Sequence, residues 1–353
     1  MADLTGTVHL IFKTHLDVGF TDLAERVVDR YVNVFIPAAL ETAESVRRRS
    51  PHSRFIWTTG AWLIFEYLER SDARRRARME RAIEAGDIDW HGLPFTMHCE
   101  LLDPSLFRFG LTFSQILDRR FGRKTIAAKM TDVPGHTRGI VPLLAEAGIE
   151  FLHIGVNEGA TMPDVPPVFV WRDPSGAELT VVYQHSYGAT TIVPGLTDGI
   201  SFAHTDDNRG PQSAAEVEAI YEALRRAHPN ATIAASTLNE FAVVLRGTRS
   251  SLPVVTQEIG DSWIHGVGSD PRKLSRYREL MRIRSEWLTN DPGAHDDPSV
   301  IAFSRRLILV PEHTWGLDEK THQTDYEHHT QPALDPVRQT PAPAQTSQSW
   351  DEQ

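Results

Sequence analysis

Short β-rich runs alternate with longer amphipathic stretches along most of this chain, and that alternation most constrains its fold. Apolar runs at 8–12, 54–58, 88–90, 125–131, 151–156 and 232–235 read as strands. Helical patterns at about 21–49, 61–85, 104–121, 139–147, 213–228 and 237–245 fall between or after them. The runs 168–172 and 179–183, on either side of Pro174-Ser175-Gly176, predict a hairpin. Alternation of this kind predicts an α/β fold with a mostly parallel sheet, open or closed into a barrel, flanked by helices. We expect residues 1–250 to form this α/β domain and 251–320 a helical segment that completes the site. Residues 321–353 are Gln-, Thr-, His- and Pro-rich with almost no apolar periodicity, and are expected to be a disordered polar tail.

In such folds, chemistry is carried at the C-terminal ends of strands. The rule selects His15 and Asp17, Thr58 and Thr59, His91, Asp132, Asn157, His185 and Ser236. His15 and Asp17 are two residues apart, so in an extended segment both side chains face one side and suit a divalent cation. In 129–137, KMTDVPGHT, a strand ends at Asp132 ahead of a Pro-Gly turn and His136. A carboxylate there is placed to bind metal, act as a nucleophile, or cap the turn. The loop 203–211 carries the adjacent acids Asp206 and Asp207. His313 follows an apolar run, and Trp263 and His265 lie among glycines in 260–271.

Composition narrows the function. With 36 basic and 47 acidic residues the net charge is −11, which opposes non-specific nucleic-acid binding. The one cysteine, Cys99, forms no internal disulfide and supplies no Cys-based zinc knuckle. No run reaches transmembrane length, and the first residues lack the basic region and cleavage site of a secretory signal. A soluble cytoplasmic protein with no membrane partner is expected; a homo-oligomer stays open.

Taken in order, these motifs resemble the catalytic domain of the glycoside hydrolase family 38 α-mannosidases. The family's opening H-x-D-x-G-W is similar to His15, Asp17, Gly19 and Phe20. Its F-I-W strand corresponds to 55–57, its nucleophile segment to 131–137, and its G-D-D-F-R loop to 205–209. Its T-L-x-E-Y-F helix start resembles 237–241, its W-S-G-Y segment 263–270, and its late zinc segment His313-Thr314. The resemblance covers about 7–320.

It implies a distorted (β/α)7-type barrel, a carbohydrate substrate and one Zn²⁺ held by His15, Asp17, Asp132 and His313, with His265 the other candidate for the fourth ligand. It implies Asp132 as the nucleophile of a retaining hydrolysis and Asp207 as the acid/base, with Asp206 as runner-up. Phe20 and Trp263 would be sugar platforms; His265, Arg209 and Tyr187 would make substrate contacts. The departures are Phe20 for the family's Trp and Thr314 for the Asp after its zinc His. The family's following β-sandwich domains are also not expected in this chain. A divergent branch is therefore implied. Two other readings remain: a deacetylase-like metal hydrolase, and a truncated, inactive sugar-binding relative.

Overall fold

The computed structural model describes residues 4–352 except 51, 134–135, 261–269, 315, 323–329, 331, 333–334 and 337–340. Eleven strands are present among them: β1 Thr7–Thr14, β2 Trp57–Gly60, β3 Ile88–His91, β4 Ala127–Asp132, β5 Phe151–Val156, β6 Val168–Arg172, β7 Glu178–His185, β8 Thr191–Ile192, β9 Gly199–Thr205, β10 Thr232–Ala235 and β11 Val254–Val255. One sheet runs β3-β2-β1-β9-β8 with β10 also on β1, and the second runs β11-β6-β7-β5-β4. Gly92 N donates to Ala127 O at 2.9 Å, so the two sheets meet where β3 ends and β4 begins. All pairs are parallel except the expected β6–β7 hairpin and β8–β9. The architecture is mostly parallel α/β, as expected.

Strand periodicity sets the layers. Val8, Leu10 and Phe12 of β1 pack with Tyr31, Ile36 and Leu40 of the covering helices. Ile11, on the opposite face, joins Phe151, Ile200, Phe202 and Phe241 in a second cluster. Alternate side chains point to opposite faces, so His9, Lys13 and His15 follow Ile11. A strand buried on both faces is what parallel sheets require.

Several boundaries differ from the sequence reading. The expected strand 54–58 lies at Trp57–Gly60. The helical pattern 21–49 is Ala24–Arg30, a π-helical turn Tyr31–Phe35, and Ile36–Arg49. Pro37 follows that turn and has no N–H to continue the α-ladder, while Ile36 N reaches back to Tyr31 O. The pattern 61–85 divides into Ala61–Arg70 and Ala73–Glu84, the second capped by Asp72, which accepts from Arg75 N.

The tail also differs. Part of the segment expected to be disordered forms a helix, Ala342–Glu352. Ser349 is buried, and both carboxylate oxygens of Glu352 accept from the first N–H groups of the helix Ala24–Arg30, at 2.7 and 2.9 Å. That helix has no side-chain cap of its own, and its free donors are satisfied from the far end of the chain. Average composition is blind to such a long-range partner.

Candidate active site

The site lies at the C-terminal ends of β1, β4 and β9. β1 leads into His15 and, two residues later, Asp17; both are buried. The loop 311–318 brings His313 against them, because His98 N bonds Pro311 O at 2.8 Å and His313 N bonds Thr96 O at 3.2 Å. Asp17 Oδ1 lies 2.9 Å from His15 Nε2 and 3.0 Å from His313 Nε2. The two Nε2 atoms are 3.1 Å apart.

Nothing in the chemistry of this group opposes a cation. Two imidazole nitrogens and a carboxylate make an ordinary borderline donor set. Asp17 Oδ2 is buried without a partner, a cost that a bound ion would remove. Burial alone would raise the Asp17 carboxyl, but the adjacent His15 and His313 hold it below the usual range. A fourth side chain backs the group: Glu312 Oε1 sits 2.7 Å from His313 Nδ1, and Glu312 is 1% exposed. Thr314, through its N–H and hydroxyl, donates to Glu312 Oε2. The residue that replaces the family's Asp thus serves the carboxylate behind His313.

Asp132 ends β4 with φ 76°. Its Oδ1 accepts from Tyr187 OH at 2.7 Å and Asn157 Nδ2 at 2.9 Å, and its Oδ2 lies 3.7 Å from His313 Nε2. The Tyr187 ring stacks on His15, with centroids 4.9 Å apart. Burial, then the charges of Asp132 and Asp207, drive the Tyr187 phenol far above its usual range, so it remains a donor. The turn carrying Tyr187 is seated by Lys129 of β4, whose Nζ donates to Tyr187 O at 3.0 Å and lies 2.9 Å from His153 Nδ1. Gly155 makes room: a Cβ there would lie 2.9 Å from Ser186 O and Tyr187 O.

The adjacent acids part company. Asp206 is 71% exposed and pairs with Arg209, itself 70% exposed. Asp207 turns inward, with Oδ1 4.0 Å from His15 Nε2. Burial foremost, then Asp17, raises its carboxyl. Tyr31, displayed by the π-turn, donates to His15 O at 2.9 Å. The described non-glycine residues with positive φ are Phe20, Asp132, Ser186 and Asn208. All lie around this site, and strained backbone of this kind concentrates where function over-determines it.

The structure therefore gathers His15, Asp17, Asp132, Asp207, His313 and Tyr187. Phe20 is held beside them through its backbone, bonded to Gly316 O and from Asp318 N at 3.2 and 2.8 Å. Arg209 is not brought in; its ion pair with Asp206 takes it to the surface. Trp263 and His265 lie outside the described residues. Among the other strand-end candidates, Ser236 bonds His9 and Glu240 instead, and His185 bonds Glu158 O. His136 is buried against Cys99, where burial depresses its pKa to about 4. Sequence reasoning missed Tyr31, Asn208 and Glu312. Of these, only Glu312, adjacent to a candidate ligand, carried a local signal.

The model of the glycosyl hydrolases family 38 N-terminal domain matches residues 5–240. The chain belongs to glycoside hydrolase family 38. A second family model, a domain of unknown function (DUF5054), matches 267–353. No curated protein matches the chain. Among solved structures, it is similar to an alpha-mannosidase from Enterococcus faecalis V583, with 11% identity and a TM-score of 0.63 over 98% of this chain and 42% of that one. A family 38 protein from Enterococcus faecalis gives 10% identity and a TM-score of 0.56 over 100% of this chain and 39% of that one. A 4-alpha-glucanotransferase from Thermococcus litoralis gives 14% and 0.53 over 86% of this chain and 56% of that one. At such identities the likeness is one of fold. The chain spans about two-fifths of the length of the two family 38 structures. No helix among the described residues is long and apolar enough to cross a membrane.

Proposed function

We propose that this family 38 chain is a metal-dependent retaining glycosidase acting on α-mannoside-like carbohydrates. One observation carries the reading: Asp132 and Asp207 flank the His15–Asp17–His313 group in contrasting surroundings. Asp132 is a fixed acceptor with two donors on one oxygen, whereas the Asp207 carboxyl is raised by burial and by neighbouring negative charge. A pair so differentiated suits a nucleophile and a general acid.

Asp132 attacks the anomeric carbon as the glycosidic C–O bond breaks, and Asp207 gives its proton to the departing oxygen. The covalent glycosyl-Asp132 is then opened by water, whose proton returns to Asp207, and Asp132 leaves as a free carboxylate. Tyr187 and Asn157 orient Asp132 throughout, and Phe20 would provide the aromatic platform. His15, Asp17, His313 and Asp132 would hold a Zn²⁺. When bound, that ion supplies positive charge for the sugar's vicinal hydroxyls and for the transition state. The buried, unbridged Cys99 is in keeping with a reducing cytoplasm.

The test is Asp132→Ala, assayed on an activated aryl α-mannoside. Hydrolysis is expected to disappear while circular dichroism stays that of the parent. A variant that still turns over would defeat this assignment.

A further inference from the structure

We propose that Asn208 is a positioning residue that makes Asp207, and not its neighbour Asp206, the acid of the site. The inference rests on the reading of Asp207 as acid/base and goes beyond it, because it names what sets that choice.

Asn208 is 6% exposed and left-handed, with φ 48°, a conformation Asn tolerates better than most residues. Its side chain is spent on the other loop. Oδ1 accepts from Asp17 N at 3.1 Å. Nδ2 donates to Asp17 O and Gly19 O at 3.1 Å each and lies 2.9 Å from Thr21 Oγ1. Its own N–H donates to His15 O at 3.1 Å. One residue thereby stitches the acid-bearing loop to the backbone that carries His15, Asp17 and Phe20.

Backbone direction follows from that anchor. With Asn208 fixed, Asp207 falls on the His15 side, at 4.0 Å, and Asp206 on the solvent side with Arg209. Side chains at successive positions of such a turn diverge, so a shift of one residue would exchange the two carboxylates.

The test uses Asn208→Gly, which keeps the left-handed backbone at no steric cost and removes every side-chain bond. kcat/KM reports the glycosylation step alone, in which an alkyl leaving group needs a proton and dinitrophenolate does not. On methyl α-mannoside the variant should lose about 100-fold in kcat/KM, against less than about 3-fold on 2,4-dinitrophenyl α-mannoside. An equal loss on both, or no loss on either, overturns the proposal, since a general loosening does not discriminate between leaving groups. A crystal structure of the variant gives an answer that needs no activity. Asp207 swung away from His15 supports the assignment; Asp207 still facing His15 overturns it. If the parent hydrolyses neither substrate, the glycosidase reading fails by itself and the variant's structure still decides the role of Asn208.

Discussion

The site has two halves, built by different means. His15 and Asp132 stand at the ends of β1 and β4, where ladder hydrogen bonds fix the backbone, and Asp17 follows His15 by two residues, its own N–H and carbonyl bonded to Asn208. The β4–β5 register pairs Asp132 with Val156, at the end of β5. His313, Asp207 and Tyr187 come from loops, and each loop is held by a buried polar side chain. Glu312 backs His313, Asn208 anchors the loop of Asp207, and Lys129 seats the turn of Tyr187. A sheet positions catalytic groups through its regular ladder, whereas loops need individual polar contacts, each of which is costly to leave unmade.

The contrast can be broken most severely in the strand-borne half. A His15→Ala/Asp17→Ala variant removes two donors at once, and elemental analysis should find the metal signal of the purified parent gone. A parent with no metal would remove the proposed centre altogether. The loop-borne half should respond by degrees. Glu312→Gln keeps the shape but not the charge behind His313, and metal affinity measured by chelator competition should fall about 10- to 100-fold. Unchanged affinity would mean that the loop supports itself without this contact.

The strand framework also carries a pH-sensitive group. Asp89 on β3 is 5% exposed, and burial, only partly offset by Arg123, pushes its carboxyl up to about 7. Its unfolded value lies near ~3.9, so the folded protein binds the proton more tightly. Its contribution to stability is present at low pH and declines as pH rises from about 4 through 7. Thermal melts of Asp89→Asn should therefore show a flatter pH dependence over that range than the parent. An identical slope would exclude Asp89 as its source.

The smallest effect is expected outside both halves, at the C-terminal helix. Glu352→Gln weakens the cap on the helix Ala24–Arg30 and should cost about 0.5 kcal/mol. A denaturant titration would register it as a lower midpoint with unchanged slope. No change in midpoint would mean that the terminal helix contributes only packing.

The two halves were also unequally legible. His15, Asp17 and Asp132 could be named because a strand end is marked locally, by an apolar run giving way to a polar residue. Asp207 and His313 were named through the family resemblance, with Asp206 and His265 left as alternatives, since a loop leaves no periodicity in the sequence. Arg209 was named through the same resemblance, and its ion pair with Asp206 is a surface contact that no pattern announces. Tyr31 was hidden because only the π-turn ahead of Pro37 shows which way its ring leaves the helix.

What the sequence determined alone was the alternation of strands and helices and the acids and imidazoles at strand ends, since both follow from short-range periodicity and polarity. Only the tertiary structure turned Asp207 towards His15 and Asp206 towards solvent, and brought Glu312 behind His313. Those outcomes depend on backbone angles within loops and on partners as far apart as Asn208 and Asp17, which are contacts that local sequence does not encode.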